Sequence, residues 1–199
     1  MCNINKKTEN NMNTIRKISI ALLGCMLLAT SVVAQTFHYN TTRTFREVGF
    51  TYQANVSHGM VRLFNANNRH NFDREQTWRD GRMITIEDTR RFPSTVEPCV
   101  LTAREPVRNI VRNAMSPAER QRMGDRQLMV QMLVNQNATT PQPITEVQFT
   151  FSNTSPFATL PVSVFRQIEL EIKRQIRFMP NAHGRNLNFV MVGFPVRVN

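Results

Sequence analysis

The side chains best suited to chemistry are thinly spread along this chain. Its four histidines are His38, His58, His70 and His183, and none lies three or four residues from another, the spacing that puts two imidazoles on one helix face for zinc. His70, Asp73 and Glu75 bring three nitrogen or oxygen ligands within six residues of a polar loop. Such a set is able to hold a metal, and ordinary loop composition explains it equally well. Cys99 would act as a nucleophile only beside a base or a positive charge that stabilises its thiolate. Between Pro98 and Val100 it reads more simply as a small buried hydrophobe. Glu169 and Glu171 are two residues apart and point to different sides of a helix, so they cannot serve one substrate atom as acid and base. A glycine-rich phosphate loop and a Gly-x-Ser-x-Gly turn are both missing. The residues therefore imply no catalytic group, no metal and no cofactor. A non-enzymatic binding or structural protein is the expected class, with a hydrolase of unrecognised type the less favoured alternative.

Those residues belong to 199, 41% of them apolar and 20% charged, a balance suited to a folded core rather than a disordered chain. Near the start, Lys6, Lys7, Arg16 and Lys17 precede an apolar run from Ile18 to Val33 that closes on Val32-Val33-Ala34 before Gln35. A basic region, an apolar stretch and small residues before the cut are the marks of a secretory signal peptide over residues 1–34. A retained anchor of the same run is the alternative, as is lipidation at Cys25 in Leu22-Leu23-Gly24-Cys25. The expected location is the periplasm or cell envelope, or outside the cell.

Of the 25 basic residues four lie in the leader, as does one of the 14 acids, so the remainder carries a charge near +8. Nearly all of it is arginine, because Lys173 is the only lysine left. Guanidinium forks suit carboxylates and phosphates, which admits an anionic surface or acidic glycan as partner. The arginines are scattered and not interleaved with aromatics, which makes nucleic acid an unlikely one. Cys99 would be the one cysteine of the mature chain, so stability rests on packing rather than on an internal disulfide. Asn40-Thr41-Thr42 and Asn137-Ala138-Thr139 match glycosylation acceptors, which a bacterial-type leader discounts.

Residues 35–98 read as β-rich. Phe50, Tyr52, Ala54 and Val56 alternate, Ser57-His58-Gly59 turns, and Val61 and Leu63 return, which makes a hairpin. Asp80-Gly81 predicts a second hairpin between Gln76-Thr77-Trp78 and Met83–Ile86, with Trp78 in the core. After a proline-containing link, Val107, Ile110, Val111, Ala114 and Met115 recur at helical spacing, and Pro106 is placed in the first turn. Ser116-Pro117-Ala118-Glu119 predicts a capping box for a short helix ending near Gly124. Leu128–Val134 and Ile144–Phe151 alternate as strands around a loop at 135–143. A helix over 162–178 follows, with Val164 or Phe165, Ile168, Ile172 and Ile176 inward and Arg166, Glu169, Lys173 and Arg177 outward. The final run, Leu187–Val198, is apolar on both faces, and Pro195 marks it as a sheet edge or strand end.

The order strand, strand, helix, strand from Leu128 to Val198, about 70 residues, resembles the C-terminal domain of TonB, which makes residues 99–199 a TonB-like module. Arg177-Phe178-Met179-Pro180 resembles that family's helix exit, Gly184-Arg185 its glycine before the last strand, and Phe194-Pro195-Val196 its ending. The proline-rich spacer of TonB is absent, and Met115-Ser116-Pro117 stands where its tyrosine-proline pair would. The resemblance implies an α+β fold in which one helix packs on an antiparallel sheet. It also implies an envelope protein or peptide as partner, pairing with the last strand through Leu187, Asn188, Phe189, Val190, Met191 and Val192.

Overall fold

The computed structural model describes residues 37–68, 75–92, 94–97 and 100–199. The leader, His70, Asp73 and Cys99 lie outside the described residues. No helix among those described is long and apolar enough to cross a membrane.

Alternating sequence builds the main sheet. Strands β1 (Arg43–Glu47), β2 (Phe50–Ser57) and β3 (Met60–Asn65) run as an antiparallel meander. The β2–β3 turn falls on His58 and Gly59, at φ +49° and +74°, the left-handed values that a tight hairpin demands. Two strands from the C-terminal part, β5 (Leu128–Val134) and β7 (Glu146–Ser152), join the same sheet, as does β9 (Val190–Val196). The order is β1-β2-β3-β7-β5-β9. Because β3 pairs directly with β7, the boundary drawn at residue 98 runs through one sheet, and Phe37–Asn199 forms one compact unit. A smaller sheet, β4-β8-β6, joins β4 (Val96–Glu97), β8 (Arg177–Pro180) and β6 (Gln142–Pro143). The architecture is α+β.

Four α-helices accompany the sheets among the described residues: α1 (Ile86–Arg91), α2 (Val100–Asn113), α3 (Pro117–Met123) and α4 (Val162–Gln175). The core lies between α4 and the inward row of the large sheet. Phe165 of α4 stacks on Phe151 at 5.3 Å and 7°, and meets Tyr39 edge-on at 5.9 Å. Each such aromatic removed from water contributes about 1.5–3 kcal/mol to holding the core together. The opposite face is polar: Gln148 Nε2 donates to Gln131 Oε1 at 2.9 Å, and Thr150 Oγ1 to the same oxygen at 3.2 Å.

Several local expectations need correction. The Asp80-Gly81 turn forms, with Gly81 at φ +85°, but only the single bridge Thr77–Met83 follows it, and Ile86 begins α1 instead of ending a strand. The capping box of Thr85 with Asp88 wins there, because each side chain takes the other's backbone amide, at 3.1 and 3.0 Å. Helix α2 starts at Val100, so Pro106 lies inside it rather than in its first turn. The buried stripe of Ala103, Val107, Ile110 and Val111 holds the helix through the proline. Helix α4 ends at Gln175, and Arg177–Pro180 is a strand rather than a helix exit. Glu169, placed on the outer face by periodicity, is fully buried. In β9 burial alternates instead of covering both faces. The Ser116–Glu119 box and the edge position of Pro195 are found as expected.

Candidate functional site

Among the described strands β9 pairs with β5 alone and leaves its other edge to a groove of about 680 Å³. Which backbone groups face that groove follows from the ladder. Opposed residues of an antiparallel pair alternate between bonded and non-bonded positions. Pro195 opposite Met129 has no N–H to give, and the carbonyl of Leu133, opposite Met191, accepts from Thr145 on the β7 side. The bonded pairs are therefore those of Val190, Val192, Phe194 and Val196. Met191, Gly193 and Pro195 turn their backbone groups outward, with two N–H donors and three carbonyls that no described strand meets. Pro195 fits here because its missing donor would have faced out.

The first part of the expected partner edge is already occupied. Asn188 N–H donates to Thr77 O at 2.9 Å, Arg79 N–H to Asn186 O at 2.8 Å, and Trp78 bridges Leu187. Gln76 Nε2 caps the carbonyl of Phe189 at 2.8 Å. Leu187, Asn188 and Phe189 are thus engaged by the chain's own 75–79 segment, while Val190, Met191 and Val192 continue into the open stretch. Glu75 of the proposed metal cluster accepts Asn188 Nδ2 through its backbone oxygen, and no metal-binding cluster occurs among the described residues.

The walls are apolar and aromatic: Trp78, Ile84, Phe92 and Leu187 face Met191, Val192 and Phe194 across the groove. Trp78 is half-buried here rather than in the core. Its ring meets Phe92 edge-on at 6.2 Å, and Phe92 lies against His183 with the rings tilted by 31° and centroids 3.5 Å apart. Asp88 ties this wall together. It accepts from Thr85 N–H and Oγ1, from Arg82 at 3.0 Å and from Trp78 Nε1 at 3.4 Å. The Thr85 bonds above all hold its carboxyl down at about 2. Arg82 and Arg91 lie over the Trp78 and Phe92 rings, at 4.9 and 5.4 Å. Arg104, exposed on the rim, makes no hydrogen bond or ion pair among the described residues. Gly184 secures the floor: a Cβ there would sit 2.1 Å from the carbonyl oxygen of Thr95, so only glycine admits this approach.

A second cluster, unseen in the sequence, surrounds Glu169. Tyr52 donates its hydroxyl to the carboxylate, Arg166 approaches at 3.1 Å, Lys173 at 2.5 Å and Asn65 Nδ2 at 3.4 Å. Burial by itself would raise the pKa of Glu169. The hydrogen bonds of Lys173 and Tyr52 and the charges of Lys173 and Arg166 outweigh it and hold the carboxyl below its ordinary range. Tyr52 is pushed far up by burial and by the adjacent anion, so it cannot act as a base. Both carboxylate oxygens are taken by the protein itself. The cluster locks α4 to β2 and β3 rather than offering a reaction centre. The i, i+4 spacing of Glu169 and Lys173 was the one visible hint.

The family described as Domain of unknown function (DUF5043) matches residues 35–194. The chain belongs to this family. A crystal structure of a DUF5043 family protein from Bacteroides uniformis ATCC 8492 superposes with a TM-score of 0.71 at 29% identity, covering 81% of this chain and 94% of that one. No protein of curated function matches the chain. Neither match shows the expected kinship with TonB, and Arg177–Pro180, one of the motifs behind it, is a strand of the small sheet rather than a helix exit.

Proposed function

We propose that this DUF5043 protein is an exported, non-enzymatic binding protein that adds an extended peptide to the outer edge of β9. One observation carries the reading: Met191, Gly193 and Pro195 present a backbone row that no described residue pairs, inside an apolar groove. Strand addition draws affinity from such a row and selectivity from pockets for alternate side chains. Charge points to the occupant. Asp88 is saturated by its own neighbours, Arg82 among them, whereas Arg91 over the Phe92 ring and Arg104 on the rim have no acidic partner among the described residues. The partner is therefore an extended segment that alternates apolar and acidic side chains.

Isothermal titration of the purified protein with synthetic decapeptides alternating valine and glutamate tests this. Binding is expected, with loss of at least tenfold in affinity when lysine replaces glutamate. Methylation of every second peptide nitrogen should abolish it, because ladder donors disappear while the side chains remain. No binding by the glutamate peptide, or equal binding by the methylated one, overturns the reading.

A further inference from the structure

A separate cavity of about 450 Å³ opens at the end of the large sheet, where the last residues of β3 and β5 meet the start of β7. Half of its lining consists of side-chain amides, and four of these are tethered at one end only. Asn68 Nδ2 donates to Val147 O at 3.2 Å, and Gln136 Nε2 donates to Leu187 O. Asn135 Oδ1 accepts the N–H of Asn137 at 3.1 Å, and Asn137 Oδ1 accepts from Arg79 at 3.4 Å. Their other ends make no hydrogen bond among the described residues. The cavity thus presents two amide oxygens and two amide NH₂ groups on side chains whose rotamers are already restrained, which reduces the entropy lost on binding.

A mixed set of neutral donors and acceptors complements hydroxyl groups, each of which both donates and accepts. A charged ligand fits less well. Lys173 lines the cavity and is already bound to Glu169 at 2.5 Å, so it repels a cation without being free to hold an anion. The half-buried Phe189 adds an aromatic surface for the apolar C–H face of a ring. The volume lies within the ordinary range of small-molecule sites, which is about 300–1,000 Å³.

We propose that this cavity binds a neutral saccharide of one or two rings, independently of the β9 groove. Saturation-transfer NMR with methyl glucoside, methyl galactoside, methyl mannoside and methyl N-acetylglucosaminide at millimolar concentration tests it on the purified protein. At least one glycoside should receive saturation on its ring protons. Asn135→Asp and Asn137→Asp keep each tethered oxygen and remove the free donor, so each should weaken that glycoside by about fivefold, the effect of one neutral hydrogen bond. The thermal midpoint, followed in parallel, should stay close to that of the parent. Transfer to none of the four glycosides, tighter binding of glucose 6-phosphate than of methyl glucoside, or unchanged affinity in both variants overturns the proposal.

Discussion

The two edges of the large sheet solve the same problem in different ways. Strand β1 carries Arg43, Arg46 and Glu47 among its five residues, four of them exposed, and Arg43 folds over the Phe45 ring at 4.2 Å. An incoming strand would have to desolvate those charges, which keeps the edge single. Strand β9 reads Val-Met-Val-Gly-Phe-Pro-Val and has no charge at all. Its edge is guarded by enclosure: the 75–79 segment covers its approach, and Trp78, Phe92 and α1 wall the rest. Charge repels every strand alike, whereas a wall admits one that fits. The difference makes β9 the edge that can be selective.

The ends of the sheet also differ in how they are fastened, and the largest expected effect lies there. Glu169→Ala leaves Lys173 and Arg166 without their common partner and frees α4 from β2 and β3. A loss of about 3–5 kcal/mol is expected in urea denaturation, since one half of a buried ion pair is removed. The sign of the pH dependence follows from the same group. Its folded-state pKa is depressed, so its contribution is complete above the ordinary carboxyl value of 4.5 and fades as pH falls through the lower folded value. Denaturation midpoints of the parent should therefore drop below pH 4.5 more steeply than those of Glu169→Ala.

At the other end, Val190→Pro removes a donor that faces β5 and should lower stability by about 1–3 kcal/mol in the same assay. Met191→Pro, one residue on, removes a donor that faces the groove. Its thermal midpoint should fall less than that of Val190→Pro, while affinity for the valine-glutamate decapeptide falls at least tenfold. Equal destabilisation by the two prolines would mean that the assigned ladder phase is wrong. The smallest change in stability is expected for Met191→Lys, within about 0.5 kcal/mol as for most surface substitutions. It gives β9 the charged character of β1 and should abolish peptide binding in titration.

Much of this fold was legible because its signals are local. His58-Gly59 states its own turn, Ser116 and Glu119 cap one another three residues apart, and Pro195 excludes β9 from a central place. The start of α2 was hidden by Pro106, whose local preference yields to a buried stripe on the same helix. The groove was only half visible. Residues 187–192 read as an open edge, but Leu187 and Asn188 are occupied by a segment more than 100 residues earlier. Glu169 was assigned to solvent because its partners Tyr52 and Asn65 are equally remote.

Composition and periodicity alone determined that the chain is an α+β protein with a hairpin turning at His58-Gly59, a capped short helix and a proline-marked last strand. They act over a few residues, and backbone sterics and nearby hydrogen bonds reward them wherever the segment lies. Only the tertiary structure decided that the two parts share one sheet, that a buried glutamate fastens a helix to that sheet, and that the outward backbone row begins at Met191. Each of these depends on contacts between distant segments, whose free energy appears only when the chain closes on itself.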